Sequence, residues 1–191
     1  MVNLGLAVQE RLSSSIHETF KNLLQGILQP NINDVLLDVG GGTGVLGNYF
    51  SNICKEVWVL DPEAKKLRFG RERRKNVNFI NASAYQIPFV NGSFSKATAI
   101  VSFHHFPDQD AALQEIKRVL KPDGQLALLE FDPTTIRGKV VNFFENKLGK
   151  KNCRFYTPVE LKEKVSILGY GEINTLKAPV GYLLTAVNSC S

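Results

Sequence analysis

The chain has 191 residues and a formal net charge of +5, with 43% hydrophobic and 21% charged residues, which fits one ordinary globular domain over residues 1–191. No apolar run approaches the ~20 residues of a membrane-spanning helix, and the start lacks a signal-peptide layout, so we expect a cytoplasmic protein. The three cysteines, Cys54, Cys153 and Cys190, are far apart and form no C-x-x-C pair, which predicts free thiols and no metal site.

The first predicted element is an amphipathic helix that ends before Pro30, because apolar residues recur at spacings of three and four. These residues are Leu12, Ile16, Phe20, Leu23, Leu24, Ile27 and Leu28. Five short apolar runs follow, at residues 35–39, 57–60, 77–80, 97–101 and 125–131. Segments long enough for crossover helices separate these runs, and alternating strands and helices form a parallel sheet with right-handed connections. We therefore predict an α/β fold.

The last third of the chain predicts a helix, a lid and a hairpin. A helix with Leu113 and Ile116 on its inner face is expected to end in a turn at residues 121–124, where proline and glycine occur together. Thr157 and Pro158 mark the start of another helix, and β-rich runs at 172–176 and 182–187 predict an edge hairpin. The predicted parts are an N-terminal helical cap at 1–30, a core at 33–131, a lid at 132–156, and a final helix with the hairpin at 157–188.

An apolar strand leads directly into a glycine-rich loop at residues 40–44, with Asp38 two residues ahead of the first glycine. Glycine permits positive φ angles and leaves no Cβ against a ligand, and the helix expected from Val45 offers free N–H groups. Such loops bind nucleotide-type cofactors. Residues 42–47 also fit the dinucleotide pattern G-x-G-x-x-G, with Asp61 about 20 residues downstream. An NAD-dependent dehydrogenase is therefore one alternative.

Asp38 favours a different cofactor. At ~5 Å and an effective dielectric constant of ~20, a carboxylate repels a pyrophosphate charge by roughly 3 kcal/mol. A cofactor with a cationic amino group, such as S-adenosylmethionine, would be attracted instead.

Further motifs occur in one order along the chain. They are residues 37–44 (LDVGGGTG), Asp61, residues 84–89 (AYQIPF), residues 93–94 (SF), residues 103–105 (FHH) and residues 118–124 (RVLKPDG). Over residues 33–131 the chain resembles the class I S-adenosylmethionine-dependent methyltransferases, in particular the broad group that includes the ubiquinone and menaquinone biosynthesis methyltransferases. The resemblance implies a three-layer Rossmann-like sandwich, with a seven-stranded, mostly parallel sheet whose last strand is antiparallel. It also implies the cofactor S-adenosyl-L-methionine and the product S-adenosyl-L-homocysteine.

By this resemblance, Gly40, Gly42 and Gly44 lie against the methionyl and ribose parts of the cofactor, and Asp38 lies near its amino group. Asp61 would accept hydrogen bonds from both ribose hydroxyls, a task that suits an acceptor-only carboxylate. The other expected cofactor-binding residues are Gly41, Pro62, Ser83, Ala84 and Ser102.

The chain departs from the family pattern at two positions. Ser83 stands where the family usually has an aspartate that holds the adenine amino group, and Ser95 replaces an aspartate ahead of the fourth strand. A neutral hydroxyl is a weaker acceptor than a carboxylate, so the change at Ser83 is expected to lower cofactor affinity by roughly 1 kcal/mol.

Methyl transfer from a sulfonium requires positioning and exclusion of water, and a general base only when the acceptor must lose a proton. His104 and His105 follow the fourth strand and are the first candidates for that base, although either ring could equally form part of the pocket wall. Glu130, Asp132 and His17 are weaker candidates. No catalytic residue is assigned from the sequence.

The methyl acceptor is not identified by the sequence. A small molecule is favoured, while a lipid quinone precursor, a protein side chain and an RNA base remain open. Aromatic residues of the lid suggest an apolar or aromatic acceptor, although such residues in a helix more often belong to the core; they are Phe143, Phe144, Phe155 and Tyr156. Basic runs at 65–75 and 147–154 could bind nucleic acid, but we favour solvated helix faces because Phe69 alone offers a stacking ring in the first run. A different class of function is a catalytically weak, cofactor-binding protein with a regulatory or scaffold role.

Overall fold

The computed structural model describes residues 20–148, 152–179 and 181–189. Residues 20–28 are helical and are called α1 here. Phe20, Leu24 and Leu28 on α1 are buried, as their spacing predicts. Leu12 and Ile16, the earlier members of the same pattern, lie outside the described residues.

Seven strands alternate with helices through most of the described chain. The strands are β1 (Val35–Val39), β2 (Glu56–Asp61), β3 (Asn78–Asn81), β4 (Phe94–Ile100), β5 (Leu120–Glu130), β6 (Gly171–Ala178) and β7 (Gly181–Val187). The helices after α1 are α2 (Val45–Phe50), α3 (Ala64–Arg73), α4 (Gln109–Val119), α5 (Ile136–Phe143) and α6 (Pro158–Ile167), with a 3-10 turn at Phe103–His105 and a π-helical turn at Phe144–Leu148. No helix of the described ranges is long and apolar enough to cross a membrane.

The strands form one sheet in the order β3-β2-β1-β4-β5-β7-β6. Neighbouring strands are parallel from β3 to β5, whereas β7 runs antiparallel to both β5 and β6. This arrangement confirms the predicted mostly parallel sheet and the final hairpin. The chain order of the strands reverses between β1 and β4, and ligands of open α/β sheets bind outside the carboxyl ends of the strands at such a point.

The core lies on both faces of the sheet, which confirms the predicted three layers. Leu36 of β1 faces a cluster that includes Leu24 of α1 and Phe50 of α2. Leu37, the next residue, faces the opposite cluster, which includes Leu113 of α4 and Leu161 of α6. Successive side chains of a strand point to opposite faces, so the apolar run in β1 fills both layers.

Helix α4 ends just before the predicted turn at residues 121–124, but the glycine of that turn has another role than expected. Strand β5 pairs with β4 at Leu120 and again from Gln125, so residues 121–124 form an irregularity between the two pairs. The positive φ in this segment, 60°, belongs to Asp123 and not to Gly124. A Cβ on Gly124 would lie 2.8 Å from the carbonyl oxygen of Lys121. Glycine is therefore required here by close backbone approach rather than by a left-handed conformation.

The start of α6 is formed as predicted. The Thr157 side chain accepts a hydrogen bond from the Glu160 N–H, and the Glu160 carboxylate accepts one from the Thr157 N–H. This reciprocal capping box satisfies two amide groups at the helix start. Gly169, with a φ of 79°, follows the end of the helix.

Candidate functional site

The candidate site lies at the carboxyl ends of β1, β2 and β4. Asp38 is the fourth residue of β1 and is only 2% exposed. Its Oδ1 accepts a hydrogen bond of 2.9 Å from Oγ1 of Thr98, its register partner on β4. Burial raises the pKa of Asp38 to about 7, the Thr98 hydrogen bond lowers it, and the charge of Asp61 raises it. A cationic ligand group would therefore stabilise this carboxylate.

The glycine loop turns sharply over the end of β1. Three of its glycines have positive φ angles: 73° at Gly40, 58° at Gly42 and 78° at Gly44. Gly41 has a different requirement, because a Cβ there would lie 2.3 Å from Oδ2 of Asp38. The buried carboxylate and the loop backbone are thus in direct contact, which sequence spacing alone did not indicate.

Asp61 is the last residue of β2 and is 4% exposed. Its Oδ2 accepts a 3.1 Å hydrogen bond from the N–H of Gly42, and its Oδ1 accepts a 2.8 Å hydrogen bond from the N–H of Glu63. Burial raises the pKa of Asp61, while these hydrogen bonds and Lys66 lower it. Asp61 therefore links the glycine loop to the chain that enters α3.

Three other expected cofactor-binding residues lie beside the ends of β2 and β3. Pro62 follows Asp61 and is exposed, and Ala84 is buried in the core. Ser83 is half-buried, and its Oγ accepts a 3.3 Å hydrogen bond from the N–H of Tyr85. The Ser83 hydroxyl thus takes part in a local turn.

Ser102 follows β4 and supports the glycine loop. It is buried, and its Oγ donates a 2.9 Å hydrogen bond to the carbonyl oxygen of Val39. A Cβ on Gly40 would lie 2.8 Å from the Cβ of Ser102. The structure therefore brings Ser102 to the predicted edge and packs it directly against the loop.

Ser95 has a different place in the fold. It lies at the amino end of β4, where its Oγ donates to Oδ1 of Asp34 at 2.7 Å and accepts from the N–H of Val35 at 3.1 Å. Asp38 and Asp61 lie at the carboxyl ends of their strands. The departure from the family pattern at Ser95 therefore affects the strand entrances and is remote from the cofactor-binding edge.

The two candidate histidines lie side by side, with ring centres 4.0 Å apart, but their ring nitrogens contact different groups. His104 is 2% exposed, and its Nδ1 lies 2.6 Å from Oε2 of Glu130, which is also buried. The His104 N–H donates to the other carboxylate oxygen at 3.3 Å. The ring of Phe155 stacks on the His104 imidazole, with ring centres 4.4 Å apart. His104 is therefore fixed in position by a carboxylate and an aromatic ring.

His105 points to a different group of side chains. It is exposed, and its Nδ1 lies 3.1 Å from Sγ of Cys153. Glu145, on the π-helical turn, is close to both residues. Cys153 and the buried Cys54 form no disulfide within the described residues; Cys190 lies outside them.

Sequence reasoning missed Gln109, a buried polar residue at the start of α4. Its Nε2 donates to the carbonyl oxygens of both Phe103 and Arg154, at 3.0 Å each. The amide thereby connects the turn that carries the histidines to the segment that carries Cys153. No motif signals this role, because the two acceptors are backbone groups that lie far apart in the sequence.

Aromatic residues of the lid divide into two groups. Tyr156 is buried in the core, whereas Phe143 and Phe144 are 51% and 55% exposed. Ile136 and Val140 are also exposed. These four residues are four, three and one positions apart along α5 and the start of the π-helical turn, which places them on one face of the lid helix.

Part of the first basic run is used inside the protein. Arg71 donates to the carbonyl oxygen of Phe79 at 2.8 Å, and Arg74 donates to that of Thr43 in the glycine loop at 3.0 Å. Arg73 lies over the ring of Phe69, 3.5 Å from its centre. These contacts give three of the seven cations in the run a structural task.

Comparison with known proteins agrees with the geometry. Residues 37–128 match a family described as a methyltransferase domain. The ubiquinone/menaquinone biosynthesis C-methyltransferase UbiE of Pseudomonas savastanoi is 31% identical over 137 residues, which are 67% of this chain and 54% of that protein. The chain thus spans about half the length of the curated relatives it matches.

Solved methyltransferase structures share the fold. An S-adenosylmethionine-dependent methyltransferase from Thermotoga maritima superposes with a TM-score of 0.76 at 20% identity, covering 96% of both chains. Another, from Aquifex aeolicus, has a TM-score of 0.75 at 17% identity, covering 95% of this chain and 96% of that one.

Proposed function

Because the chain belongs to the class I S-adenosylmethionine-dependent methyltransferases, we propose that it transfers a methyl group from S-adenosylmethionine to an apolar small-molecule acceptor. The observation that carries this proposal is the pair of buried carboxylates, Asp38 and Asp61, on either side of the glycine loop.

The carboxylate pair fits this cofactor better than a dinucleotide. Burial raises the pKa of both groups, and the charge of Asp61 raises that of Asp38 further. An ammonium group beside Asp38 would offset that penalty, whereas a pyrophosphate would increase it. Gly42 leaves open space on the loop, since the nearest atom to a Cβ there would be Lys66 Cδ at 3.6 Å. The loop can therefore approach a ligand closely.

The bound cofactor would supply an electrophilic methyl group on a sulfonium. In this proposal Asp38 binds the cofactor amino group, and Asp61 accepts hydrogen bonds from the ribose hydroxyls. The acceptor-only chemistry of a carboxylate suits both tasks. The glycine loop presents its backbone to the methionyl part without steric obstruction.

We assign His104 as the general base for an acceptor that must lose a proton. With Glu130 accepting from Nδ1, the imidazole keeps its proton there and presents Nε2 as the acceptor atom. Phe155 covers the face of the ring, which excludes water from the proton-transfer site. His105 has no part in this step.

The lid supports an apolar acceptor. The helix that follows β5 and the π-helical turn after it carry an exposed apolar face, formed by Ile136, Val140, Phe143 and Phe144. The relatives' name refers to ubiquinone and menaquinone biosynthesis, so apolar quinol precursors belong in the first set of acceptors to test, beside small phenols and amines.

The first experiment compares ligands and tests the cofactor. S-adenosylhomocysteine at ~100 times its dissociation constant should stabilise the protein by about 2.7 kcal/mol, and NAD at equal concentration should not. Asp61→Ala should weaken S-adenosylhomocysteine binding by about 1.5–3 kcal/mol. Tighter binding of NAD than of S-adenosylhomocysteine would contradict the assignment.

The second experiment tests the reaction. Transfer of labelled methyl groups from S-adenosylmethionine is measured with the acceptor set, for the wild type, His104→Gln and Glu130→Gln, with the exposed Glu163→Gln as control. General-base catalysis contributes about 10²–10⁴-fold, so His104→Gln should lower kcat by that order while S-adenosylhomocysteine affinity stays unchanged. Equal kcat in wild type and His104→Gln would remove His104 from the mechanism.

A further inference from the structure

We propose that His105, Glu145 and Cys153 form a binding site for a zinc-type divalent transition-metal ion between the lid and the turn after β4. Its ligands are none of the residues proposed to bind the cofactor, and the ring of His105 lies beside that of His104, with ring centres 4.0 Å apart. Each residue offers one ligand atom, and these three atoms all lie within 4.8 Å of one another. The three residues come from different segments: the 3-10 turn after β4, the π-helical turn, and the chain that follows it. The proposal goes beyond the proposed methyl transfer and departs from the prediction of no metal site.

The observed separations are close to those of a tetrahedral zinc site. With Zn–S near 2.3 Å and Zn–N near 2.0–2.1 Å, tetrahedral ligands have an S···N separation of about 3.6 Å. In the structure, Nδ1 of His105 and Sγ of Cys153 are 3.1 Å apart. The pair must therefore open by roughly 0.5 Å. The carboxylate of Glu145, which lies within 4.8 Å of both atoms, must approach by at most about 1 Å. Side-chain rotations of that size leave the backbone in place.

Asn146 fixes two of the three ligands relative to each other. It directly follows Glu145, and its side chain binds both backbone groups of Cys153. Oδ1 accepts from the Cys153 N–H at 2.7 Å, and Nδ2 donates to the Cys153 carbonyl oxygen at 3.0 Å. The cysteine is thereby held beside the π-helical turn.

The third ligand, His105, is held in place by contacts of the two residues before it. The N–H of Arg154, the residue after Cys153, donates to the carbonyl oxygen of His104 at 3.1 Å. The buried amide of Gln109 binds both Phe103 and Arg154, as described above. The segments that carry His105 and Cys153 are therefore joined at two points, and the site is preorganised by groups that are not ligands themselves.

The donor set selects the class of ion. Thiolate sulfur and imidazole nitrogen favour zinc and similar transition metals, whereas magnesium and calcium prefer oxygen ligands. Three protein ligands leave the fourth tetrahedral position to water. Cys153 binds as the thiolate, so its thiol proton is released to solvent when the sulfur–metal bond forms.

The ion can enter from solvent, since His105 is exposed and Glu145 and Cys153 are half-buried. A bound ion would fasten the lid to the turn that holds His104. The ion would thus affect the region where we propose that the acceptor binds. Asp38 and Asp61 are not among its proposed ligands.

The test uses the full chain with reduced thiols. Zn²⁺ binding is measured by competition with a chromophoric chelator, and Co²⁺ is added separately to detect the absorption of a tetrahedral cobalt–thiolate complex. We expect one ion per chain, proton release on binding, and a higher unfolding temperature with Zn²⁺. Cys153→Ser and His105→Ala should each lower Zn²⁺ affinity by at least about 100-fold, and Asn146→Ala by about 10- to 100-fold.

Matched controls make the outcome decisive. Cys54→Ser alters the other described cysteine, which is buried away from the lid. Glu163→Gln is the control for Glu145→Gln, the variant that removes the charge of the carboxylate ligand. Both controls should keep wild-type Zn²⁺ affinity. Absence of stoichiometric binding, or equal affinity in wild type and Cys153→Ser, would overturn the proposal. S-adenosylhomocysteine binding is measured on the same variants. Failure of the metal proposal is thereby distinguished from failure of the proposed cofactor binding.

Discussion

The hydroxyl of Thr98 donates a 2.9 Å hydrogen bond to Oδ1 of Asp38. The bond joins β4 to β1, the two strands between which the sheet order reverses. It is the largest of the influences that favour the ionised form of Asp38, against burial and the charge of Asp61. A side chain of β4 thus affects the pKa of the β1 carboxylate that we propose binds the cofactor.

Asp38→Asn should stabilise the ligand-free protein at alkaline pH. The pKa of Asp38 is raised from 3.8 to about 7, so the folded state binds a proton more tightly than the unfolded state. The contribution of this group to folding stability is therefore lost as pH rises from about 4 to about 7. At about 1.36 kcal/mol per pKa unit, the loss reaches the order of 4 kcal/mol by pH 8.

Denaturant unfolding at pH 4.5 and at pH 8 checks this prediction. The free energy of unfolding of Asp38→Asn should exceed that of the wild type at pH 8 by about 2–4 kcal/mol, with a smaller difference at pH 4.5. S-adenosylhomocysteine affinity should fall in the same variant. Equal differences at both pH values would mean that Asp38 is ionised in the fold without penalty.

Thr98→Val should move the pH dependence of cofactor binding. The wild type should bind S-adenosylhomocysteine more tightly as pH rises through about 7, because Asp38 then becomes ionised. Without the Thr98 hydrogen bond the pKa of Asp38 rises, so the midpoint moves to higher pH and affinity at pH 7 falls roughly tenfold. Calorimetric titrations from pH 6 to 9 measure the midpoint, with the exposed Thr175→Val as control. An unshifted midpoint would exclude Asp38 as the titrating group.

The grouping of the expected cofactor-binding residues at one sheet edge could be predicted from the sequence because the information for it is local. Asp38 and the glycine loop are contiguous, and Asp61 ends the next strand. Parallel strands bring their carboxyl ends to one edge of the sheet, so the strand pattern alone places these groups together. The capping box at Thr157 and Glu160 was predictable for the same reason, since both partners lie within one helical turn.

The contact partners of His104 and His105 could not be predicted in this way. Glu130 lies 26 positions from His104, and Cys153 lies 48 from His105. These contacts depend on how the end of β5 and the lid pack against the turn after β4, and neither segment has a periodicity that fixes that packing. The backbone contacts of Gln109 carry no sequence signal at all.

Ser95 stands where the family usually has an aspartate, and Ser95→Ala tests whether this serine serves folding stability rather than cofactor binding. Loss of the hydroxyl removes the 2.7 Å bond to Asp34 and leaves the Val35 N–H without this acceptor. The free energy of unfolding should fall by about 1–2 kcal/mol, while S-adenosylhomocysteine affinity stays within twofold of the wild type. Thermal unfolding and calorimetry measure the two effects separately. A large loss of affinity without loss of stability would connect Ser95 to the cofactor after all.

Ser83→Asp tests the other departure. Ser83 is half-buried beside the end of β3, and its Oγ accepts a weak, 3.3 Å hydrogen bond from the Tyr85 N–H. An aspartate can accept the same bond and can also offer a charged acceptor to the adenine amino group. We expect S-adenosylhomocysteine to bind up to about fivefold tighter, roughly 1 kcal/mol, reduced in part by the cost of desolvating the new carboxylate.

Calorimetry at fixed pH and salt compares Ser83→Asp with Ser83→Asn, which has the same shape without the charge. Tighter binding by the aspartate alone assigns the adenine pocket to residues 82–89, whereas weaker binding by a normally folded Ser83→Asp variant would place adenine elsewhere.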